Sequence, residues 1–296
     1  MQSINSIISH QEDLNDFDIT PFEAALQKKQ DLSVSKEEAL NLLHQLAAFE
    51  EGRFLLQNKG LNGFMTSHII LHGPKKQNML PLQSFIINDT PVVKATRERF
   101  WIFQKVLQKN LASKQSIASI PCGLMDDLLL LDTEPFENIH LTGIDLDQES
   151  LDLAKENALY HQKYNTHFFK KDAWHLDEIN TYDMIASNGL NIYEKDDQRV
   201  IALYKQFHTA LKSEGILVTS FLTPPPLISS ESTWKNYNVA DALKQKILFG
   251  EIIGVGWQSF RTENQTRDHL QQASFRIAEI HYDSQGMFPT IVAEKC

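Results

Sequence analysis

Three short stretches of the chain carry side chains suited to a nucleotide-like ligand, and each closes a run of β-forming residues. Pro121-Cys122-Gly123 follows the run IASI, and an amphipathic run begins directly after it. Backbone N–H groups at such a helix start suit a carboxylate or a phosphate. Asp145 closes HLTGI about twenty residues further on, where a carboxylate can accept both hydroxyls of a ribose diol. Asp172 closes THFFKK and can accept an exocyclic amine, with Leu146 and Ala173 as apolar contacts to the faces of a purine. Each residue also has a plainer reading. Asp145, followed by Asp147, can cap the next helix. Asp172 can be an ordinary loop aspartate, and Gly123 a tight-turn residue. Cys122 has no evident base beside it and reads as a small apolar core residue.

The elements that must position these residues follow from periodicity. Short β-rich runs at 117–122, 139–146, 166–172, 182–188 and 215–222 alternate with amphipathic helices at 124–131, 147–161 and 195–212, and a short helix is expected after 172. That rhythm predicts a parallel sheet covered by helices. The tail breaks the rhythm. Two strands, 274–285 and 287–295, are separated by Gly286 alone, and so short a link makes an antiparallel pair. Before the first strand the chain is mostly helical. Ser35 to Gln57 carries apolar residues at helical spacing after a Ser-x-x-Glu start. Residues 60–73 read as a bent helix or a loop followed by a helical turn. Pro91 opens a long helix at a position where proline is tolerated. The division expected is a helical cap over 1–115 and a sheet domain over 116–296, with an insertion at about 224–260 that contains a helix over 239–249.

Composition narrows the function classes. The chain has 296 residues with 28 Lys+Arg against 38 Asp+Glu, a formal net charge of −10. An acidic balance argues against a nucleic-acid binder, whose affinity comes from clustered Lys and Arg. Two cysteines, Cys122 and Cys296, make neither a disulfide framework nor a metal cluster. There is no basic leader with an apolar core and no run of about 18 apolar residues. A soluble cytoplasmic protein is therefore expected. His68 and His72 stand four apart without a carboxylate at metal-ligand spacing, so no metal site is assigned. Glycine is scarce, at 12 residues, against a usual share of about 7%.

Taken together, GIDLDQESLDLAKENA (143–158), FFKKDAW (168–174), YDMIASN (182–188), LYKQFHTALKSEGILVTSF (203–221) and the terminal hairpin resemble the class I S-adenosylmethionine-dependent methyltransferase family over Ile117 to Lys295. The resemblance implies a Rossmann-like, doubly wound α/β fold whose seven-stranded sheet has the order 3-2-1-4-5-7-6, the last strand antiparallel. It implies S-adenosylmethionine as cofactor. By position, Pro121, Cys122 and Gly123 approach its methionine portion, Asp145 holds the ribose, and Asp172 contacts adenine with Leu146 and Ala173 against the ring. Asn188 lines the pocket beside the reactive methyl. The family's first motif, an acidic residue before Gly-x-Gly-x-Gly, departs here to SIPCGLMDD, which retains Gly123 alone.

Other assignments are looser. In the run Thr96-Arg97-Glu98-Arg99-Phe100, Arg97 either pairs with the methionine carboxylate or belongs to an exposed Glu–Arg ladder. Trp234, Tyr237, Trp257 and Phe260 in the insertion either form the core of a small lid or help build an acceptor pocket. His68, Tyr193, Trp234 and Trp257 are the candidate acceptor contacts. Methyl transfer is an in-line displacement governed largely by alignment, and a base is needed only if the acceptor must lose a proton. His44, His68, His72, His208 and Tyr193 are the candidates, and none is singled out. The expectation is transfer of a methyl group to an oxygen or nitrogen of a small molecule. A non-catalytic binding protein is the alternative. A nicotinamide-dependent oxidoreductase is disfavoured by the missing Gly-x-Gly-x-x-Gly.

Overall fold

Alternating apolar runs between Ser116 and Lys295 form seven strands. These are β1 (Ser116–Ser119), β2 (His140–Asp145), β3 (Thr166–Lys170), β4 (Tyr182–Ser187), β5 (Leu211–Ser220), β6 (Phe275–His281) and β7 (Thr290–Lys295). A computed structural model describes residues 17–255 and 259–296, and in it the strands make one sheet of order β3-β2-β1-β4-β5-β7-β6. β1 to β5 run parallel, and β7 is antiparallel to both β5 and β6. This is the expected order. The inner strands are nearly continuous apolar runs, as strands covered on both faces must be, and β1 and β4 are buried along most of their length.

Helices lie on both faces. In chain order they are α1 (Thr20–Gln27), α2 (Lys36–Ala47), α3 (Glu50–Asn58), α4 (Gly63–Ser67), α5 (Pro81–Ser84), α6 (Pro91–Lys109), α7 (Asp126–Leu129), α8 (Gln148–Tyr160), α9 (Asp197–Ala210), α10 (Val239–Gln245) and α11 (Glu263–Gln272). Capping residues set their starts. Ser35, Asp147, Asp196, Asn238 and Thr262 each accept a backbone N–H of the first turn. α4 passes into a wide π-helical turn at His68–His72, which is the bend expected over 60–73.

Four expectations need correction. The helix read over 35–57 is two helices broken at Ala48–Phe49. No helix follows β3, and residues 171–181 form turns. β5 begins at Leu211, directly against the end of α9. The link between β6 and β7 spans 282–289 rather than Gly286 alone, held by Asp283, whose carboxylate accepts the N–H groups of Gln285 and Phe288. A link of this length is still too short for a parallel crossover, so the pair is antiparallel as expected.

The cap is not built from 1–115 alone. Ile247, Leu248, Ile252 and Ile253, in the turn that continues α10, are buried with Leu26, Leu43, Leu46, Leu55 and Ile86 in one apolar cluster. The insertion thus completes the amino-terminal cap, giving its helices an apolar partner that neither segment could supply by itself. No helix among the described residues is long and apolar enough to cross a membrane.

Candidate functional site

The carboxyl ends of β1, β2, β3 and β4 open on one edge of the sheet, and there the chain turns through 120–125, 145–147, 171–175 and 188–193. In the first of these turns three backbone donors are engaged. Cys122 N–H donates to Ile144 O at 2.9 Å, Gly123 N–H to Asp145 Oδ2 at 2.9 Å, and Met125 N–H to Cys122 O at 2.6 Å. Pro121, after a cis peptide bond, has no N–H to offer. Two of the loop's amides are thus tied to β2 and one to the loop itself, while the N–H groups of Leu124, Asp126 and Asp127 remain as the donors facing away from these bonds.

Gly123 has φ +50°, a conformation that favours glycine. Its Cα also faces Gly63 at the start of α4, where an added Cβ would lie 2.9 Å away from it. The glycine retained in the first loop thus lets the cap backbone settle against that loop. Ser67 Oγ, one turn further along the cap, donates to Asp126 Oδ2. Asn157 of α8 holds Asp126 Oδ1 and Leu124 O from the other side, both at 2.9 Å. Cys122 is buried, and burial pushes its thiol well above the ordinary range, helped by Asp145 and Asp127. Such a thiol is an inert packing group.

Asp145 is half-buried, and the competing reading of it as a helix cap is settled by its neighbour. Asp147 accepts the N–H groups of Glu149 and Ser150 and caps α8. Asp145 instead ties Gly123 and Asp147 N–H to its two oxygens, at 2.9 and 3.0 Å, and each oxygen keeps a further lone pair. Asp172 accepts Trp174 N–H at 3.0 Å and faces His175 Nδ1 at 2.7 Å. The Trp174 N–H bond, with His175 assisting, holds its carboxyl below the usual range. Between the two acids Leu146 is exposed and Ala173 buried, so an apolar surface stands at the edge of the sheet.

Beyond β4, Asn188 Oδ1 accepts from Ser220 Oγ at 3.0 Å, and Arg99 Nη1 lies 3.4 Å from that hydroxyl. Arg97 is half-buried rather than part of an exposed ladder, and its Nε has no partner. Its Nη2 donates to Ile69 O and Ile87 O, at 3.2 and 2.8 Å, so it braces two turns of the cap. His68 likewise belongs to the cap. It stacks on Phe64, and its Nε2 lies 3.5 Å from the fully buried Glu51 carboxylate, which Lys76 and Gln83 also hold. Trp234 Nε1 donates to Thr223 O and Oγ1, and its ring packs on Tyr237 within a cluster of Ala95, Ile192, Leu222, Met287 and Phe288. That cluster is the lid-core reading of this tryptophan. Tyr193 is half-exposed in the turn after β4, a turn fixed by Arg261 through Asn191 O and Glu194 O. Trp257 lies outside the described residues. Among the other base candidates, His44 pairs with Glu23 in the cap. His208 touches Cys296 O at the amino-terminal edge of the parallel strands, across the sheet from the site.

Two features of this edge escaped the sequence reading. Ser119 at the end of β1 donates to Asp127 Oδ2 at 2.7 Å, and burial raises the Asp127 carboxyl to about 7. The second is Arg99, whose guanidinium is buried between Phe288 and the backbone of Gly189. Its signal was available: Ala95, Arg99 and Phe103 recur at four-residue spacing on the buried stripe of α6.

A model of the methyltransferase domain matches residues 114–281. The chain is similar over its full length to the crystal structure of a possible exported protein from Bordetella parapertussis, with 38% identity, 100% of this chain and 99% of that chain covered, and a TM-score of 0.89. It is 25% identical over 204 residues to the release factor glutamine methyltransferase of Streptococcus pneumoniae, covering 67% of this chain. The match spans 63% of that relative's length. The fold is shared with magnesium protoporphyrin IX methyltransferase from Synechocystis with bound SAH, at 14% identity and a TM-score of 0.52, over 79% of this chain and 99% of that one.

Proposed function

The chain belongs to the class I S-adenosylmethionine-dependent methyltransferase family, whose cofactor is S-adenosylmethionine, and on that premise we propose that it methylates an oxygen or nitrogen of a small molecule. The observation that carries the reading is the set of polar groups at the carboxyl ends of β3, β2 and β4, Asp172, Asp145 and Asn188, with the cap resting through Gly63 and Ser67 on the loop after β1 between them. A nucleotide ligand in an open α/β sheet binds at such an edge.

The donor set fits the cofactor at its adenosine end. Asp145 retains lone pairs for a ribose diol, Asp172 is ionised and open on one side, and Leu146 and Ala173 offer apolar surface. At the methionine end the Cys122 and Gly123 amides are tied to β2, which leaves the amides from Leu124 to Asp127 for that part of the cofactor. Bound there, the cofactor supplies an electrophilic methyl group on a sulfonium. The chain's own residues then bind and align. Asp145 holds the ribose and, through Gly123, the loop after β1. Asn188, oriented by Ser220, lines the methyl end. The role left to the cap and insertion is to align the acceptor lone pair with the methyl, and alignment of this kind can lower a barrier by up to about 7–11 kcal/mol.

The test is incubation of the whole protein with methyl-labelled S-adenosylmethionine and a panel of small phenols, carboxylic acids and amines. Label recovered in a small molecule supports the reading; label recovered in protein substrates overturns it. A second reading, binding without turnover, is favoured by the departure of the first loop to SIPCGLMDD. It predicts tight cofactor binding with no labelled product from any acceptor.

A further inference from the structure

We propose that Arg99 is the receptor for a carboxylate or phosphate group, and that this group belongs to the methyl acceptor rather than to the methionine end of the cofactor; the acceptor is thus an anionic small molecule. The inference rests on the methyltransferase reading above and adds the substrate class.

Arg99 is only 8% exposed, yet among the described residues no carboxylate lies within ion-pairing distance of it. Ser220 Oγ accepts from its Nη1 at 3.4 Å, the Tyr193 phenol also faces the guanidinium, and its Nε is buried without a partner. Phe288 covers one face of the guanidinium, 4.7 Å from the ring centroid. Tyr193 and, after it, Asp283 attract it, but a phenol is neutral at neutral pH and the Asp283 carboxylate is committed to two N–H groups of its own loop. A buried guanidinium with five donors and one long bond is costly unless something completes it. A planar anion does so, because its two oxygens match the guanidinium fork.

The surroundings hold the group in place for that purpose. Gly189 has φ +98°, and a Cβ there would lie 3.3 Å from Arg99 Nη1, so the backbone of the turn after β4 lies directly on the guanidinium. Through Ser220 the guanidinium is linked to Asn188 Oδ1, the polar group expected beside the reactive methyl. The pair Asp145 and Asp172, which suits the adenosine, stands on β2 and β3, on the other side of β1 from β4 and β5. An anion at Arg99 is therefore away from the adenosine and next to Asn188, where the acceptor must come to meet the methyl. Burial lowers the guanidinium to about 10, which leaves it charged at neutral pH.

The experiment follows the Arg99 Nε–H resonance in the ¹⁵N-labelled full-length protein, assigned by its loss in Arg99→Lys. Benzoate, inorganic phosphate and neutral benzamide are titrated with and without saturating S-adenosylhomocysteine, whose own binding is measured by calorimetry. The expected result is a shift with benzoate or phosphate on the cofactor-bound protein and none with benzamide. Arg99→Gln should weaken that anion by at least about tenfold and leave S-adenosylhomocysteine affinity unchanged. A shift on S-adenosylhomocysteine alone, with none on adding the anions, assigns Arg99 to the cofactor and overturns the proposal. So does the absence of any shift while S-adenosylhomocysteine binds. Absence of S-adenosylhomocysteine binding is a separate result that overturns the cofactor reading itself, and the proposal with it.

Discussion

Gly123 N–H donates to Asp145 Oδ2 at 2.9 Å, so the loop after β1 and the carboxyl end of β2 form one unit. The carboxylate assigned to the ribose is at the same time the group that fixes the first loop. The other side of that loop rests on the cap, where Gly63 meets Gly123 with no side chain between them.

The Gly63–Gly123 approach predicts a steric effect. In Gly63→Ala the added methyl would lie 2.9 Å from Gly123 Cα, against backbone that cannot swing aside. The expected cost is about 1–3 kcal/mol of stability, together with weaker S-adenosylhomocysteine binding as the cap lifts from the loop. Urea unfolding and calorimetry on the variant check both. Unchanged stability would show that cap and loop are not in contact.

Asp127 predicts a pH dependence. Burial raises its carboxyl from the ordinary 3.8 to about 7 in the folded protein, so ionising it costs stability. That stability is fully present below pH 3.8, is lost as pH rises through about 7, and the loss is complete above it. Asp127→Asn keeps the shape and the Ser119 contact, and it should be more stable than the native chain at pH 8 by a margin that shrinks toward pH 5. Urea midpoints across that range measure the margin, and a margin independent of pH would rule the assignment out.

Glu51 predicts the opposite sign in the cap. Burial pushes its carboxyl up, but His68 at 3.5 Å and Lys76 at 2.7 Å outweigh burial and bring it down to about 2. The stabilisation is therefore present above pH 4.5 and is lost as pH falls through about 2. Glu51→Ala should cost about 3 kcal/mol, the lower end for a buried pair because Lys76 is one-third exposed. Thermal unfolding should register it, and a change below about 0.5 kcal/mol would contradict the role given to this carboxylate.

Gly189 predicts a local effect on Arg99. Alanine at φ +98° is strained by about 1–2 kcal/mol, and its methyl would push on the guanidinium. Gly189→Ala should shift the Arg99 Nε–H resonance without any ligand. An unmoved resonance would mean that the turn after β4 does not hold this side chain.

Much of this arrangement is legible in the residues. Parallel strands declare themselves as buried apolar runs ending in Asp145 and Asp172, and Pro91 marks the start of α6. What stays hidden is set by contacts between distant segments. Nothing local in KILFGEII says that Ile247 and Ile252 complete a core with Leu26 and Leu43, since that pairing forms only when the chain closes on itself. The engaged amides of Cys122 and Gly123 are hidden for the same reason, because their acceptors lie on β2. Arg99 was legible in part. Its spacing places it on the buried stripe of α6, but a charged residue in a run of alternating charges reads first as solvated.

The most direct test of the account is calorimetric titration of S-adenosylhomocysteine into the native protein, Asp145→Asn and Asp145→Ala, with NAD as the control ligand. The account predicts binding to the native protein and none of NAD. It predicts a loss of about tenfold in Asp145→Asn, which keeps an acceptor for Gly123 N–H, and a loss of about a hundredfold or more in Asp145→Ala. Native protein that binds no S-adenosylhomocysteine, or Asp145→Ala that binds it as the native protein does, would contradict it.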